Sequence, residues 1–198
     1  VTDVVVIPAY DDGYMPYGEA HKSRIRVDPQ WEASGAATHD WALITLDWNI
    51  GDLSGWMPLM EPAPVPSSNV YRGILYTAGY PGDRDEARCM YITSNDGVHA
   101  DENNHWYLLD TYAGQSGSPV WVYDSSTDEY YVLTVHTSGF ADINMGTRLN
   151  QDKLEMLHAW IDADPPPTGV PGFETVPSDG KLYRICSWVD NNPDEELG

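Results

Sequence analysis

Positive charge is scarce in this chain. Ten Lys and Arg stand against 31 Asp and Glu in 198 residues, a formal net charge of -21. Phosphate backbones and anionic bilayers are bound by Lys and Arg that displace counterions, so nucleic acid and membrane are excluded as partners. Two origins of the acidity stay open, adaptation to a salty or acidic exterior and plain secreted solubility. Cysteine is nearly absent too. Cys89 and Cys186 are the only two, too few and too far apart for a zinc centre. They are free to pair with each other, with another chain, or not at all, and a secreted protein favours a disulfide. No run approaches the ~18 apolar residues of a membrane span. No Asp-x-Asp-x-Asp-Gly loop suggests calcium, and no metal or other cofactor is expected. There is no basic leader with an apolar core, and Val1–Ile7 (VTDVVVI) reads as a strand. The expectation is a chain that starts inside a fold, with any signal peptide already removed.

What is there is short strands and punctuation. The hydrophobic fraction of 41% is ordinary for a globular chain. Val4–Ile7, Arg24–Val27, Trp41–Leu46, Val70–Ala78, Trp106–Leu109, Pro119–Tyr123 and Tyr130–His136 predict strands, rich in Val, Tyr and Trp. Among them Trp41–Leu46 reads as buried. The polar stretch that holds His99 and His105 (DGVHADENNHW) reads as a surface loop. Met57–Ser68, with four prolines, reads as a connection between halves. A single helix is predicted over Asn150–Ile161, with Asn150 as N-cap and Leu154, Leu157, Trp160 and Ile161 on one face. The run Asp164-Pro165-Pro166-Pro167 stops it.

The chemistry is concentrated in Asp110-Thr111-Tyr112-Ala113-Gly114-Gln115-Ser116-Gly117-Ser118-Pro119. A serine nucleophile needs a tight turn that exposes Oγ, and amide N–H groups converging on the developing oxyanion. Glycines on both sides of Ser116 permit that turn. The G-x-S-x-G elbow of α/β-hydrolases fails at Ser118, and no βα pattern surrounds it. The pattern G-x-S-G-x-P fits throughout, with a predicted strand after it. Asp40, just ahead of the Trp41–Leu46 strand, supplies an acid in the order His–Asp–Ser.

At these residues the sequence resembles the glutamyl endopeptidases of the V8-like branch of the trypsin-like superfamily. The likeness runs from about Tyr14 to Ile161. It rests on Tyr17-Gly18, the Asp40 strand, Gly79-Tyr80-Pro81-Gly82-Asp83, Asp110–Val120, His136-Thr137 and Gly146-Thr147-Arg148. The resemblance implies an all-β fold, a chymotrypsin-like double β-barrel with a C-terminal helix. It implies Ser116 as nucleophile, Asp40 as the acid that orients the catalytic imidazole, and an oxyanion hole from the N–H groups of Gly114 and Ser116. Thr111, His136, Thr137 and Ser138 would bind substrate, a polypeptide with Glu at P1. Thr111 and His136 suit that task, because a carboxylate entering a partly desolvated pocket needs donors and a group able to take up charge.

One family motif is missing. The catalytic His of these enzymes lies in an Ala-Gly-His-Cys-like stretch, and nothing before Asp40 matches it. His21 lacks the small-residue strand, and His39 would point away from Asp40 on a strand. Two explanations are carried forward. In one, a precursor is cut and a separate N-terminal chain supplies the base; in the other, the chain is an inactive homologue used as a binding module. The expected organisation is residues 1–60 as the end of barrel one and 61–149 as barrel two. Residues 150–162 then form the helix and 163–198 a Pro- and Asp-rich extension, all in a secreted protein.

Overall fold

The computed structural model describes residues 3–60, 73–140, 142–164 and the backbone of 186–187. Two sheets carry it. Strands β1 (Val5–Val6), β2 (Ala20–Val27) and β3 (Ala42–Leu46) form an antiparallel sheet in that order. Between β2 and β3 lie a short helix, α1 (Pro29–Ser34), and a 3-10 turn, Ala37–His39, that leads directly into Asp40. After β3 comes the single turn α2 (Gly51–Ser54).

The second sheet holds β4 (Ile74–Gly79), β5 (Tyr91–Ala100), β6 (Asn104–Tyr107), β7 (Pro119–Asp124), β8 (Glu129–Gly139) and β9 (Asn144–Arg148). Their order is β5-β4-β7-β8-β9-β6, and β6 pairs back onto β5. The six strands therefore close into a barrel, the double-barrel architecture's second half. A two-residue strand, β10 (Cys186–Ser187), lies parallel to β5. The barrel interior is Leu75, Tyr107, Leu109, Val120, Val122 and Leu133.

The helix α3 (Gln151–Ala163) starts at Asn150, whose side chain accepts from the Lys153 amide. Leu154 and Leu157 are buried against Trp41 and Leu149, and Trp160 stacks on Trp41 with ring centroids 5.1 Å apart. The helix thus ties the barrel-two end of the chain to the strand that follows Asp40. Asp164 at its C-terminal end takes two guanidinium contacts from β2, Arg24 Nη1 and Arg26 Nε, each at 2.5 Å.

Several expectations need correction. Ile161 is 39% exposed rather than on the packed face; Lys153 takes a buried place instead. The strand after Asp40 is not buried, since Ala42 and Ile44 face out. His99 and His105 do not lie in a surface loop. His99 is on β5 and His105 on β6, joined by a tight turn in which Asp101 Oδ1 accepts from the amides of Asn103 and Asn104. His105 is almost wholly buried. Polarity misled here because the barrel buries polar residues, His105 and Thr134 bonded to each other among them. β9 went unrecognised for a similar reason, since apart from Met145 its residues are small or polar. Most of the Pro-rich 57–68 connection lies outside the described residues, as does nearly all of the 163–198 extension.

Candidate active site

The turn between β6 and β7 is braced on every side. Gln115 is buried, and its Oε1 accepts from the Tyr112 amide at 2.8 Å while its own N–H donates to the Tyr112 carbonyl at 3.1 Å. Ser118 N–H donates to the Gln115 carbonyl at 2.9 Å. The turn is then stitched to β8, with Gly117 N–H donating to the His136 carbonyl at 2.8 Å and His136 N–H to the Ser118 carbonyl at 2.9 Å. Gly114 has φ +106° and Gly117 φ +90°, a region that side chains resist. Ser116 is left exposed at the apex. Among the described residues, neither the N–H of Gly114 nor that of Ser116 has an acceptor.

The Gly79–Asp83 stretch packs directly behind this turn. A Cβ at Gly79 would stand 2.4 Å from Ser118 Oγ, and one at Gly114 would stand 2.8 Å from the Tyr80 carbonyl. Gly82 N–H donates to the Ala113 carbonyl at 2.8 Å. These glycines are needed for backbone proximity, and they fix where Ser116 sits.

Beside Ser116 opens a cavity of about 710 Å³. Thr111, Ser116 and His136 all line it, with Asp110, Tyr112, Ala113, Phe140, Asp142, Ile143 and Asn144 among the rest of the wall. Thr137 and Ser138 stand on the neighbouring bulge of β8, where Thr137 Oγ1 donates to the Met145 carbonyl at 3.4 Å. His136 is 3% exposed. Burial holds its pKa below the ordinary imidazole value, opposed only by a contact with the Met145 carbonyl. Its Nδ1 shares a 2.9 Å hydrogen bond with the hydroxyl of Tyr107, which is fully buried. Behind both, burial pushes His105 down to about 4, and its Nδ1 meets Thr134 Oγ1 at 3.2 Å. The cavity thus presents a neutral imidazole at pH 7, beside two carboxylates.

Asp40 is half-buried at the end of the 3-10 turn. Burial raises its pKa, and among the described residues its carboxylate has no hydrogen-bond or ion-pair partner. None of the six histidines is bonded to it or to Ser116. His21 meets Glu19, His39 meets Asp28, His99 packs on Trp106, and His105 and His136 are engaged as above. His158 is on α3. His39 is on the 3-10 turn rather than on a strand, and it faces Asp28. No group of three or more His, Cys, Asp or Glu that could hold a metal ion occurs among the described residues. The same residues contain no helix long and apolar enough to cross a membrane.

Sequence reasoning missed Tyr107, Gln115, Phe140 and Asn144. Tyr107 was legible only as a strand residue, since nothing local to it points to His136.

No family model matches the chain. It is 29% identical over 161 residues to a glutamyl endopeptidase of Bacillus licheniformis, covering 78% of this chain and 49% of that protein. It is 26% identical over 162 residues to a protein of Bacillus subtilis named extracellular metalloprotease, covering 80% and 49%. The chain therefore spans about half the length of the curated relatives it matches. Among solved structures, a Glu endopeptidase in complex with MPD superposes with TM-score 0.68 at 25% identity, over 80% of this chain and 71% of that one. A thermostable serine protease from an extremophilic microorganism superposes with TM-score 0.68 at 14% identity, over 82% and 76%.

Proposed function

Because the chain is a homologue of the V8-like glutamyl endopeptidases with their chymotrypsin-like fold, we propose that it is the nucleophile-bearing part of a secreted serine endopeptidase that cleaves after Glu. The observation that carries this reading is one turn and one cavity. Ser116 stands exposed at the mouth of a cavity that also takes in Thr111 and His136, with two unengaged amides beside it.

In the proposed reaction Ser116 Oγ adds to the scissile carbonyl and its proton passes to an imidazole base. The oxyanion is held by the N–H groups of Gly114 and Ser116. Collapse expels the amine and leaves an acyl-enzyme, which water cleaves by the same route. Asp40 holds the imidazole in the right tautomer and stabilises it when charged. A partly desolvated carboxylate with no partner of its own is suited to that task. Thr111 and His136 would donate to the substrate glutamate, and Thr137 and Ser138 would line its approach. The base itself is assigned to a separate N-terminal polypeptide of a cut precursor, because all six histidines of this chain are engaged elsewhere or remote in the sequence pattern.

That same observation supports a second reading, an inactive homologue that binds peptides without cutting them. Activity-based labelling separates the two. The protease should be labelled at Ser116 by a fluorophosphonate and should cleave Glu peptides in preference to Asp, with Arg and Phe negligible. Ser116→Ala should abolish both while the protein stays folded. A natively processed protein with neither labelling nor turnover is the binding module, and a preference for Arg or Phe defeats the pocket assignment.

A further inference from the structure

The residues on either side of Asp40 are tied to a single oxygen atom. Trp41 donates its Nε1–H to Asp28 Oδ2 at 2.7 Å, and His39 donates its Nδ1–H to the same Oδ2 at 2.9 Å. The other oxygen, Oδ1, accepts from the Gln30 amide at 2.8 Å and caps α1. Asp28 is 2% exposed. A carboxylate so deeply placed is costly unless it is fully bonded. Burial would raise its pKa, but the bonds from His39, Gln30 and Trp41 outweigh that and keep it below the usual carboxylate range. Buried Lys153, on α3, adds a favourable charge interaction while its Nζ donates to Asn103 Oδ1 at 3.1 Å.

The rest of the turn is held from other directions. Thr147 Oγ1 donates to the Ala37 carbonyl at 3.0 Å, and the Asp28 amide donates to the Trp41 carbonyl at 3.4 Å. Among the described residues, the Asp40 carboxylate has no hydrogen-bond or ion-pair partner of its own. Its two flanking side chains, His39 and Trp41, both end on Asp28.

We propose that Asp28 is a positioning residue for the reaction, a buried clamp that grips His39 and Trp41 so that the carboxylate between them is presented to the catalytic imidazole. This rests on the assignment of Asp40 as the triad acid. A merely structural Asp28 would need only its cap to α1. The clamp bonds do something the cap does not, because they hold the side chains on both sides of Asp40 to one buried atom. An orienting group displaced by about 1 Å can cost about 10²-fold in rate. That loss should fall on kcat, since Thr111 and His136 belong to a cavity built by barrel two.

Asp28→Asn is the discriminating variant. It keeps an oxygen to cap α1 and sets an NH2 against the Trp41 Nε1–H, an obligate donor, while His39 can stay bonded only by changing tautomer, so the clamp is broken at Trp41 and the cap is left in place. Trp41→Phe removes one clamp donor and keeps the ring that stacks on Trp160. Both are made in the full precursor and processed as the native protein is. Thermal melts, kcat and KM on a Glu peptide, and the rate of Ser116 labelling by a fluorophosphonate are then measured. For a folded Asp28→Asn protein we expect kcat and labelling to fall about 10²-fold with KM within about two-fold of wild type. Trp41→Phe should lower kcat by a smaller factor, about three- to ten-fold. A folded Asp28→Asn protein with wild-type kcat, or one whose whole loss is in KM, overturns the clamp. If Asp28→Asn does not fold, Trp41→Phe decides alone, and a folded Trp41→Phe protein with unchanged kcat overturns it. Asp40→Asn is run beside them. Wild-type kcat there refutes the assignment of Asp40 itself, whereas loss there with an intact Asp28→Asn refutes only the clamp.

Discussion

The Tyr107 hydroxyl lies 2.9 Å from Nδ1 of His136, with Tyr107 fully buried and His136 on the cavity wall. A buried phenol whose pKa burial pushes up stays neutral at every working pH. It can therefore hold the imidazole in one orientation without competing for charge. Tyr107→Phe should leave a buried ring nitrogen short of a partner, at a cost of about 1–3 kcal/mol in stability. Glu selectivity should fall with it. Urea denaturation and a Glu-to-Asp comparison on matched peptides check both, and unchanged values for each would make the bond incidental.

His136 should be protonated by its substrate. Burial keeps the free ring neutral near pH 7, and an incoming carboxylate favours the charged form. The preference for Glu over neutral Gln at P1 should then decline as pH rises above neutral, because the bound ring loses its proton. Activity on Gln peptides should not show this decline. His136→Leu should abolish the preference and its pH dependence together. A pH-independent Glu-to-Gln ratio in wild type would leave His136 a structural residue.

His105 makes the fold acid-sensitive. Its folded pKa is about 4, below the ~6.5 of an unfolded imidazole. A histidine depressed on folding binds its proton more weakly in the native state, so stability is full above about pH 6.5 and falls as pH drops toward 4. The difference corresponds to about 3 kcal/mol. Denaturation curves across that window should show the decline in wild type and less of it in His105→Gln. Equal slopes in the two proteins would assign the acid sensitivity to other groups.

Asp40 should cost stability in the free chain. Burial raises its pKa, so its ionised form is disfavoured in the folded state. The sign is opposite to that of a paired carboxylate, with the penalty absent at low pH and complete above the raised folded value. Asp40→Asn should therefore melt at or above the wild-type temperature at pH 7, with the difference vanishing near pH 3. It should be catalytically impaired at the same time, a trade of stability against function. A clear drop in melting temperature at pH 7 would mean that the carboxylate is held by a favourable contact.

Gly114→Ala should damage the turn. The new Cβ would stand 2.8 Å from the Tyr80 carbonyl at a φ of +106°, so either the 79–83 stretch or the amide of residue 114 must move. Turnover should fall at least ten-fold, the scale of one misaligned oxyanion donor. Peptide binding to a Ser116→Ala background, followed by fluorescence, should change little. A comparable loss in binding would place the damage in the cavity.

Much of this was legible in the residues, but unevenly. The serine turn announced itself because glycine at positive φ and a following strand are local signals. Asp40, Thr111 and His136 could be named because they fall in recognisable stretches. The polar strands could not be read so well. Asn104, His105 and Thr147 are buried, with His105 meeting Thr134 of β8 and Thr147 the Ala37 carbonyl, and no window of sequence contains those partners. The burial of Lys153 on α3 turns on Asn103 and Asp28, far off in the chain. Asp28 escaped notice for the same reason, since His39 and Trp41 meet it only once the turn is folded.

Barrel two and the three-stranded sheet differ in one topological respect. The six-stranded ring ends where it begins, through β5 and β6, while among the described residues β1 and β3 are the outer strands of their sheet. A ring offers few spare N–H and C=O groups, here the start of β5 where β10 pairs, whereas an outer strand is a template along its length for any extended segment that reaches it. In amide hydrogen exchange, the ring's strands would behave as one slowly opening unit and the outward-facing amides of β1 and β3 would exchange first. Ser116 therefore stands on the half that resists opening, and Asp40 just ahead of a strand still open to partnership.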